Sequence, residues 1–321
     1  MDNRPVNYAV QSVHSFESFG TWLTALQDRS PRTADAYTSH VRMFTRFVTE
    51  LSETHVKQST IEQYLISQAQ LGRSASTRRT TVCALRAWFT FLQSTQDFPD
   101  NPAAAVKTPK VPRQRMSDYS PDELERLLKA PLDLAKQAKS QGNMPRWLRA
   151  RVDHMLIASY RYTGARQSEL LNLTFDQLDL NHRILTIEGK GAKQRPVPIP
   201  DVLYAMLDDY LTRIRPQCPP SRFLFANPDG YEQTAAYGRY APRACLNAIG
   251  RYGTYARIAG RHHPHRIRHS YATDLLRRGV SLEVLRQLLG HESLTVTQRY
   301  LHLRTDDLQA AIGEAFRTVS T

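Results

Sequence analysis

Cysteine is scarce in this 321-residue chain, glycine is thinly spread, and acidic residues fall well short of basic ones. The three cysteines, Cys83, Cys218 and Cys245, stand far apart without CxxC spacing, which excludes a disulfide framework and a zinc knuckle. They are expected to be reduced and structural. No stretch of eighteen consecutive apolar residues occurs, and "MDNRPVNYAVQSVHSFESFG" lacks the apolar run of a signal peptide, so the chain is expected to be soluble and cytoplasmic, with no membrane partner. The fourteen glycines form no phosphate loop. Lys190 in "EGKGAKQR" is followed by Gly191 rather than Ser or Thr, and the motif GxxxxGK[ST] is absent. The histidines of "GRHHPHRIRHS" lack both HExxH spacing and nearby carboxylates, and arginines among them would repel a divalent cation, so no metal site is expected.

What is present in excess is positive charge. Lys and Arg number 43 against 30 Asp and Glu, a net charge of +13. Such a surplus attracts polyanions, and nucleic acid is the common partner of a soluble basic protein. The length suits two domains.

Apolar residues from Ser15 to about Gln93 recur at helical spacing. In "SPRTADAYTSHVRMFTRFVTEL" the stripe is Tyr37, Val41, Phe44, Val48 and Leu51, and Ser30 followed by Pro31 marks a helix start. In "SASTRRTTVCALRAWFTFLQ" it is Val82, Leu85, Trp88, Phe89 and Leu92, with Arg78, Arg79 and Arg86 left facing outward. Residues 1–106 are expected to form an all-helical domain. The stretch "DFPDNPAAAVKTPKVPRQRM" carries four prolines and reads as extended, and residues 107–117 are assigned as a basic linker. Lys107, Lys110, Arg113 and Arg115 there suit either a solvated tether or a strand laid along a phosphate backbone.

Residues 118–321 are expected to form a mostly helical second domain. "SPDELERLL" opens it with a capping box of Ser120 and Glu123 and with Pro121 in the first helical position. A small sheet is expected from "RILTIE" and "QRPVPI", joined as a hairpin with Lys190 at its tip and with Pro196 and Pro198 confining the second strand to an edge. The whole is thus mainly α with a small β-sheet.

Four stretches carry candidate chemistry. Arg166 follows a glycine that ends the helix of "MLIASYRY", with Glu169 three residues on as its helical partner or a cap. His265 and Arg268 share one helix face, placed to touch one anion. Gly290 ends "SLEVLRQLL", and His291 follows it, with Tyr300 nine residues further on. Singly, each has a plain structural reading. Together, Arg166, Lys190, His265, Arg268, His291 and Tyr300 are what cleavage of a phosphodiester by a tyrosine requires: cations for the oxygens of the transition state, and an acceptor and a cationic field for a phenol that is protonated at neutral pH.

In order and spacing the chain resembles the tyrosine recombinases, the integrase family that includes the Xer proteins, Cre and lambda integrase. "TGARQSELLNL" is similar to the family's first arginine box, "EGKGAKQRPVPI" to its lysine hairpin, "HPHRIRHSYATDLL" to its HxxR box and "LGHESLTVTQRYLHL" to the box with the nucleophile. The segments "SPRTADAYTSHVRMFTRF" and "RRTTVCALRAWFTFLQ" resemble the family's helical core-binding domain. The resemblance implies Tyr300 as nucleophile, forming a 3'-phosphotyrosyl link. It implies Arg166 and Arg268 as the phosphate clamp, His291 as a further donor, Lys190 as the acid that protonates the leaving 5'-oxygen, and His265 as a residue that helps accept the tyrosine proton. It further implies no ATP, metal or other cofactor, double-stranded DNA with paired inverted sites, a Holliday junction, a tetramer on DNA, nucleoid association and accessory DNA-binding proteins in some cases. Arg78, Arg79, Lys110, Arg113 and Arg115 are candidate DNA contacts. The short stretch before Ser15 favours the Xer-like or transposon-resolving two-domain kind.

Arg266 inside the HxxR box is a departure, and residues 216–261 show no simple motif and are expected to carry target-specific contacts. "RTDDLQAAIGEAFRTVST" reads as a short amphipathic helix carrying Leu308, Ile312 and Phe316, which either docks on its own domain or reaches a neighbouring subunit. Two other functions fit parts of the pattern. A type IB topoisomerase shares the chemistry without a paired site, and a helix-turn-helix regulator would use residues 282–303 but leaves Arg166 and Lys190 unexplained.

Overall fold

The computed structural model describes residues 13–51, 56–96, 98, 100–111, 118–189, 193–229 and 238–290. Two compact units meet in sequence between Gln114 and Arg115.

Four helices make the first unit: α1 (Val13–Ala25), α2 (Pro31–Glu50), α3 (Gln58–Gln70) and α4 (Ala75–Gln96). Helix α2 starts where its local chemistry dictates. The Ser30 hydroxyl accepts from the Thr33 amide, and Pro31 needs no amide partner in the first turn. Its stripe of Val41, Phe44 and Val48 meets Val82, Leu85, Trp88 and Phe89 of α4 in one core with Phe19, Ile61 and Tyr64. Trp88 is 1% exposed and meets the Phe19 ring edge-on at 5.1 Å, so truncating it costs about 3–5 kcal/mol.

Three expectations for this unit need correcting. Leu51 is 45% exposed, because α2 stops at Glu50 and the stripe ends with it. Arg86 does not face outward: its guanidinium turns back to donate to the carbonyls of Ala103 (3.1 Å) and Val106 (2.8 Å). The proline-containing stretch is not extended as far as residue 106, since Ala103 and Val106 are buried in the helical core and the Asn101 side chain accepts from the Ala103 amide. Two small apolar residues supply enough burial there to fold the chain down.

The second unit is built around the pair α5 (Pro121–Ser140) and α6 (Met144–Thr163). Ser120 and Glu123 form the capping box at the start of α5. A short helix α7 (Gln167–Leu171) leads into a three-stranded antiparallel sheet of β1 (Leu178–Asp179), β2 (Ile184–Glu188) and β3 (Gln194–Pro198), in that order, with Ile187 opposite Arg195 and Leu185 opposite Val197. Strand β3 is an edge, as its prolines require, and the Gly189 amide donates to the Lys193 carbonyl at 2.8 Å to close the strand ends. Then come α8 (Asp201–Asp209), α9 (Pro242–Tyr255), α10 (Pro264–Arg277) and α11 (Leu282–Leu289).

Much of the stretch 216–261 serves the core. Phe225, Tyr240, Cys245 and Tyr252 are buried, and the hydroxyls of Tyr240 and Tyr252 donate to the fully buried Asp153 of α6, Tyr252 at 2.7 Å. Arg251 donates to the same carboxylate at 2.9 Å. Residues 230–237 of that stretch lie outside the described residues. Cys218 and Cys245 are buried free thiols and Cys83 is partly buried and free. Among the described residues no helix is long and apolar enough to cross a membrane.

Candidate active site

The site starts from the end of α6. Gly164 takes a left-handed conformation (φ 60°), and a Cβ there would lie 2.3 Å from the Tyr271 ring, so this chain reversal admits only glycine. The reversal sets Arg166 at the start of α7. Its amide donates to Glu169 Oε2 at 2.8 Å and its Nη1 to Glu169 Oε1 at 2.7 Å, making Glu169 both the cap and the ion-pair partner. The Glu169 side chain is 4% exposed, that of Arg166 40%.

Glu169 has a second cation. Arg195, on β3, donates through Nη2 to Oε2 at 2.7 Å and through Nη1 to Oε1 at 3.2 Å. Burial by itself would push the Glu169 carboxyl up. The hydrogen bonds from Arg195 and from the Arg166 amide outweigh it and hold the group at about 2.

Helix α10 supplies the third arginine. Arg268, 3% exposed, donates through Nη1 to the Gly164 carbonyl at 2.6 Å and stands 4.0 Å from Glu169. All three arginines then reach the same place, the carboxyl end of α11. Arg195 Nε donates to the Leu288 carbonyl (2.8 Å), Arg268 Nη2 to Leu289 (2.7 Å) and Arg166 Nη2 to Gly290 (3.1 Å). Carbonyls in a helix's last turn lack intrahelical partners and carry the negative end of its dipole, so cations belong there. Gly290, left-handed at φ 62°, ends α11 as expected. Three guanidinium groups thus surround one carboxylate, a cationic surface suited to an anionic ligand.

His265 sits exposed on the first turn of α10, three residues before Arg268. Arg266 lies elsewhere. It is 6% exposed, stacks 3.8 Å above the Tyr119 ring and donates to the carbonyls of Ala259 (2.9 Å) and Asp118 (3.3 Å). Lys190, His291 and Tyr300 lie outside the described residues, as do Arg113, Arg115 and the C-terminal stretch carrying Leu308. In the first unit, Arg79 at the start of α4 and Lys110 are exposed and Arg78 is half-buried. No group of three or more His, Cys, Asp or Glu that could hold a metal occurs among the described residues.

Arg195 escaped the sequence reading, although a signal was there. It falls in phase with Val197 and Ile199, the inward positions of the strand, where a charge needs a buried partner.

Residues 119–306 match the phage integrase family, and residues 16–96 match the phage integrase N-terminal SAM-like domain. The chain belongs to the phage integrase family, the tyrosine recombinases. It is 30% identical over 287 residues to the tyrosine recombinase XerD of Shewanella oneidensis, covering 87% of this chain and 89% of that one. To a tyrosine recombinase of Pseudothermotoga lettingae it is 28% identical over 304 residues, covering 93% and 96%. In fold it is similar to the XerH site-specific recombinase in a post-cleavage complex with palindromic difH substrate, with a TM-score of 0.69 at 17% identity over 95% of this chain and 90% of that one. A lambda integrase(75-356) dimer bound to a COC' core site gives a TM-score of 0.66 at 17% identity over 90% and 94%.

Proposed function

We propose that this chain is a site-specific DNA recombinase that cuts and rejoins strands through Tyr300. The observation that carries the reading is the convergence of Arg166 and Arg268, from separate helices, on the end of α11, from which the chain runs on to His291 and Tyr300. Tyr300 Oη attacks the scissile phosphorus as its proton passes to a base, the role assigned to His265. The P–O5' bond breaks, a 3'-phosphotyrosyl link forms, and Lys190 protonates the departing 5'-oxygen. Attack on that link by the 5'-hydroxyl of a second strand reverses the step and yields a Holliday junction. The number of phosphoester bonds is conserved, so no nucleotide is consumed. Arg166, Arg268 and His291 stabilise charge on the non-bridging oxygens, which a preorganised donor does at no reorganisation cost during reaction.

In this reading residues 1–106 form the core-binding domain, 107–117 the linker and 118–321 the catalytic domain. Arg78, Arg79, Lys110, Arg113 and Arg115 meet backbone phosphates. Four protomers assemble on two inverted sites, coupled by the C-terminal stretch, in the cytoplasm at the nucleoid.

The test is covalent trapping. The protein is incubated with duplexes carrying a randomised core, denaturant-resistant adducts are isolated, and their DNA is sequenced. Wild type should enrich one inverted-repeat motif, and Tyr300→Phe should bind that DNA and give no adduct. Absence of a wild-type adduct, or an adduct of Tyr300→Phe at wild-type level, overturns the reading, and adducts without sequence preference point to a topoisomerase instead.

A further inference from the structure

Arg195 differs from Arg166 in what its guanidinium is free to do. Its side chain is 11% exposed, against 40% for Arg166. Every nitrogen of the group already has a protein acceptor: both oxygens of Glu169 and the carbonyl of Leu288. A planar fork closed on a carboxylate this way is a fixture, not a spare phosphate ligand. Its neighbours on either side are backbone. A Cβ on Gly290 would lie 2.8 Å from Arg195 Nη1, and one on Gly189 would lie 3.8 Å from it. One side chain therefore holds three things in register: the strand pair that carries the Lys190 turn, the Arg166–Glu169 pair at the start of α7, and the last turn of α11.

We propose that Arg195 is a positioning residue that sets the Lys190 hairpin against the Arg166–Glu169 pair, so that the leaving 5'-oxygen meets its acid. The proposal rests on the recombinase reading above. The hairpin is an edge pair with Gly189 at its end, and Arg195 on its second strand ties it to Glu169 of α7. A proton donor displaced by about 1 Å loses on the order of a hundredfold in rate. Lysine is no substitute, because a single ammonium cannot span both Glu169 oxygens and the Leu288 carbonyl.

The experiment uses the full chain and the duplex recovered by trapping, synthesised with either oxygen or sulfur at the bridging 5' position of the cut. Sulfur leaves without needing a proton. Single-turnover cleavage at saturating DNA is expected to fall about a hundredfold in Arg195→Gln on the oxygen substrate, with the Kd for DNA within about threefold of wild type, and to recover at least tenfold of that loss on the sulfur substrate. Arg195→Lys should fall between, and it carries the same comparison if Arg195→Gln melts below the assay temperature. A merely structural arginine would lower the melting temperature and the active fraction, and would slow both substrates equally. Equal slowing on oxygen and sulfur, or a wild-type rate in Arg195→Gln, overturns the proposal while the recombinase reading stands. A wild-type protein that forms no adduct on any duplex overturns both.

Discussion

Replacing Gly290 by alanine separates two costs that the structure places on one residue. The first is backbone: φ is 62°, and a non-glycine residue in the left-handed region pays about 1–2 kcal/mol. The second is steric: the new Cβ would stand 2.8 Å from Arg195 Nη1, 3.1 Å from its Cζ and 3.2 Å from its Cδ, against normal carbon contacts of about 3.5–4.0 Å. The guanidinium has to retreat by about 0.5 Å or more. Its Nη1 bond to Glu169 is already 3.2 Å, so a retreat of that size away from the carboxylate takes it past hydrogen-bonding range. A charged hydrogen bond contributes about 1.5–3 kcal/mol, which puts Gly290→Ala at about 2.5–5 kcal/mol in total. Gly279→Ala is the control, since Gly279 has φ 83° with nothing within 4 Å of its would-be Cβ and pays the backbone cost alone. Amide exchange in peptides spanning α10 and α11 reads both variants locally, without assuming that the two units unfold together. The reasoning is refuted if the two substitutions destabilise those helices by the same amount within about 0.5 kcal/mol.

Arg166→Ala and Arg268→Ala should each slow single-turnover cleavage by about 10²–10³, with a smaller loss in DNA affinity because many cations share the phosphate contacts; a wild-type rate in either variant removes that residue from the clamp. His154 gives a pH signature: burial, then the charge of Arg151, depresses its imidazole from 6.5 to about 4, so the folded state keeps it neutral while the unfolded state protonates first. Its contribution is present above pH 6.5 and is lost as pH falls toward 4, so unfolding measured at pH 7 and pH 5 should show wild type losing about 2 kcal/mol more than His154→Gln; equal losses in the two proteins refute this.

What was legible in the sequence was local. Ser30 with Pro31, Ser120 with Glu123, and the left-handed Gly164 and Gly290 all act on residues within one helical turn, so their chemistry is written in consecutive letters. The β2–β3 hairpin was legible for the same reason, its ends closing over four residues. What was not legible had a distant partner. Arg195 meets Leu288 93 positions away, and Tyr252 meets Asp153 across 99. Arg86 looked like a solvated face until Ala103 and Val106 folded down beside it. Glu169 was half legible: its pairing with Arg166 follows from spacing, whereas its second cation comes from another element. Of the six predicted catalytic residues, the structure describes Arg166, His265 and Arg268 and brings both arginines to one helix end, while Lys190, His291 and Tyr300 lie outside the described residues.

Arg266 shows why two arginines fit into one HxxR box without competing. Residues two apart on a helix point about 200° from each other, so Arg266 and Arg268 leave α10 on opposite sides. Arg266 faces Tyr119 and the carbonyls of Asp118 and Ala259, where the second unit begins; Arg268 faces Gly164 and Leu289, where the site is. The unit's first described residues are therefore tied to the back of the same helix that presents His265 and Arg268 at its front. On the front, Glu169 stays ionised down to about pH 2, so the balance of three guanidinium groups against one carboxylate does not change anywhere near neutral pH. Any pH dependence near neutrality must then arise outside these three guanidinium groups and their carboxylate.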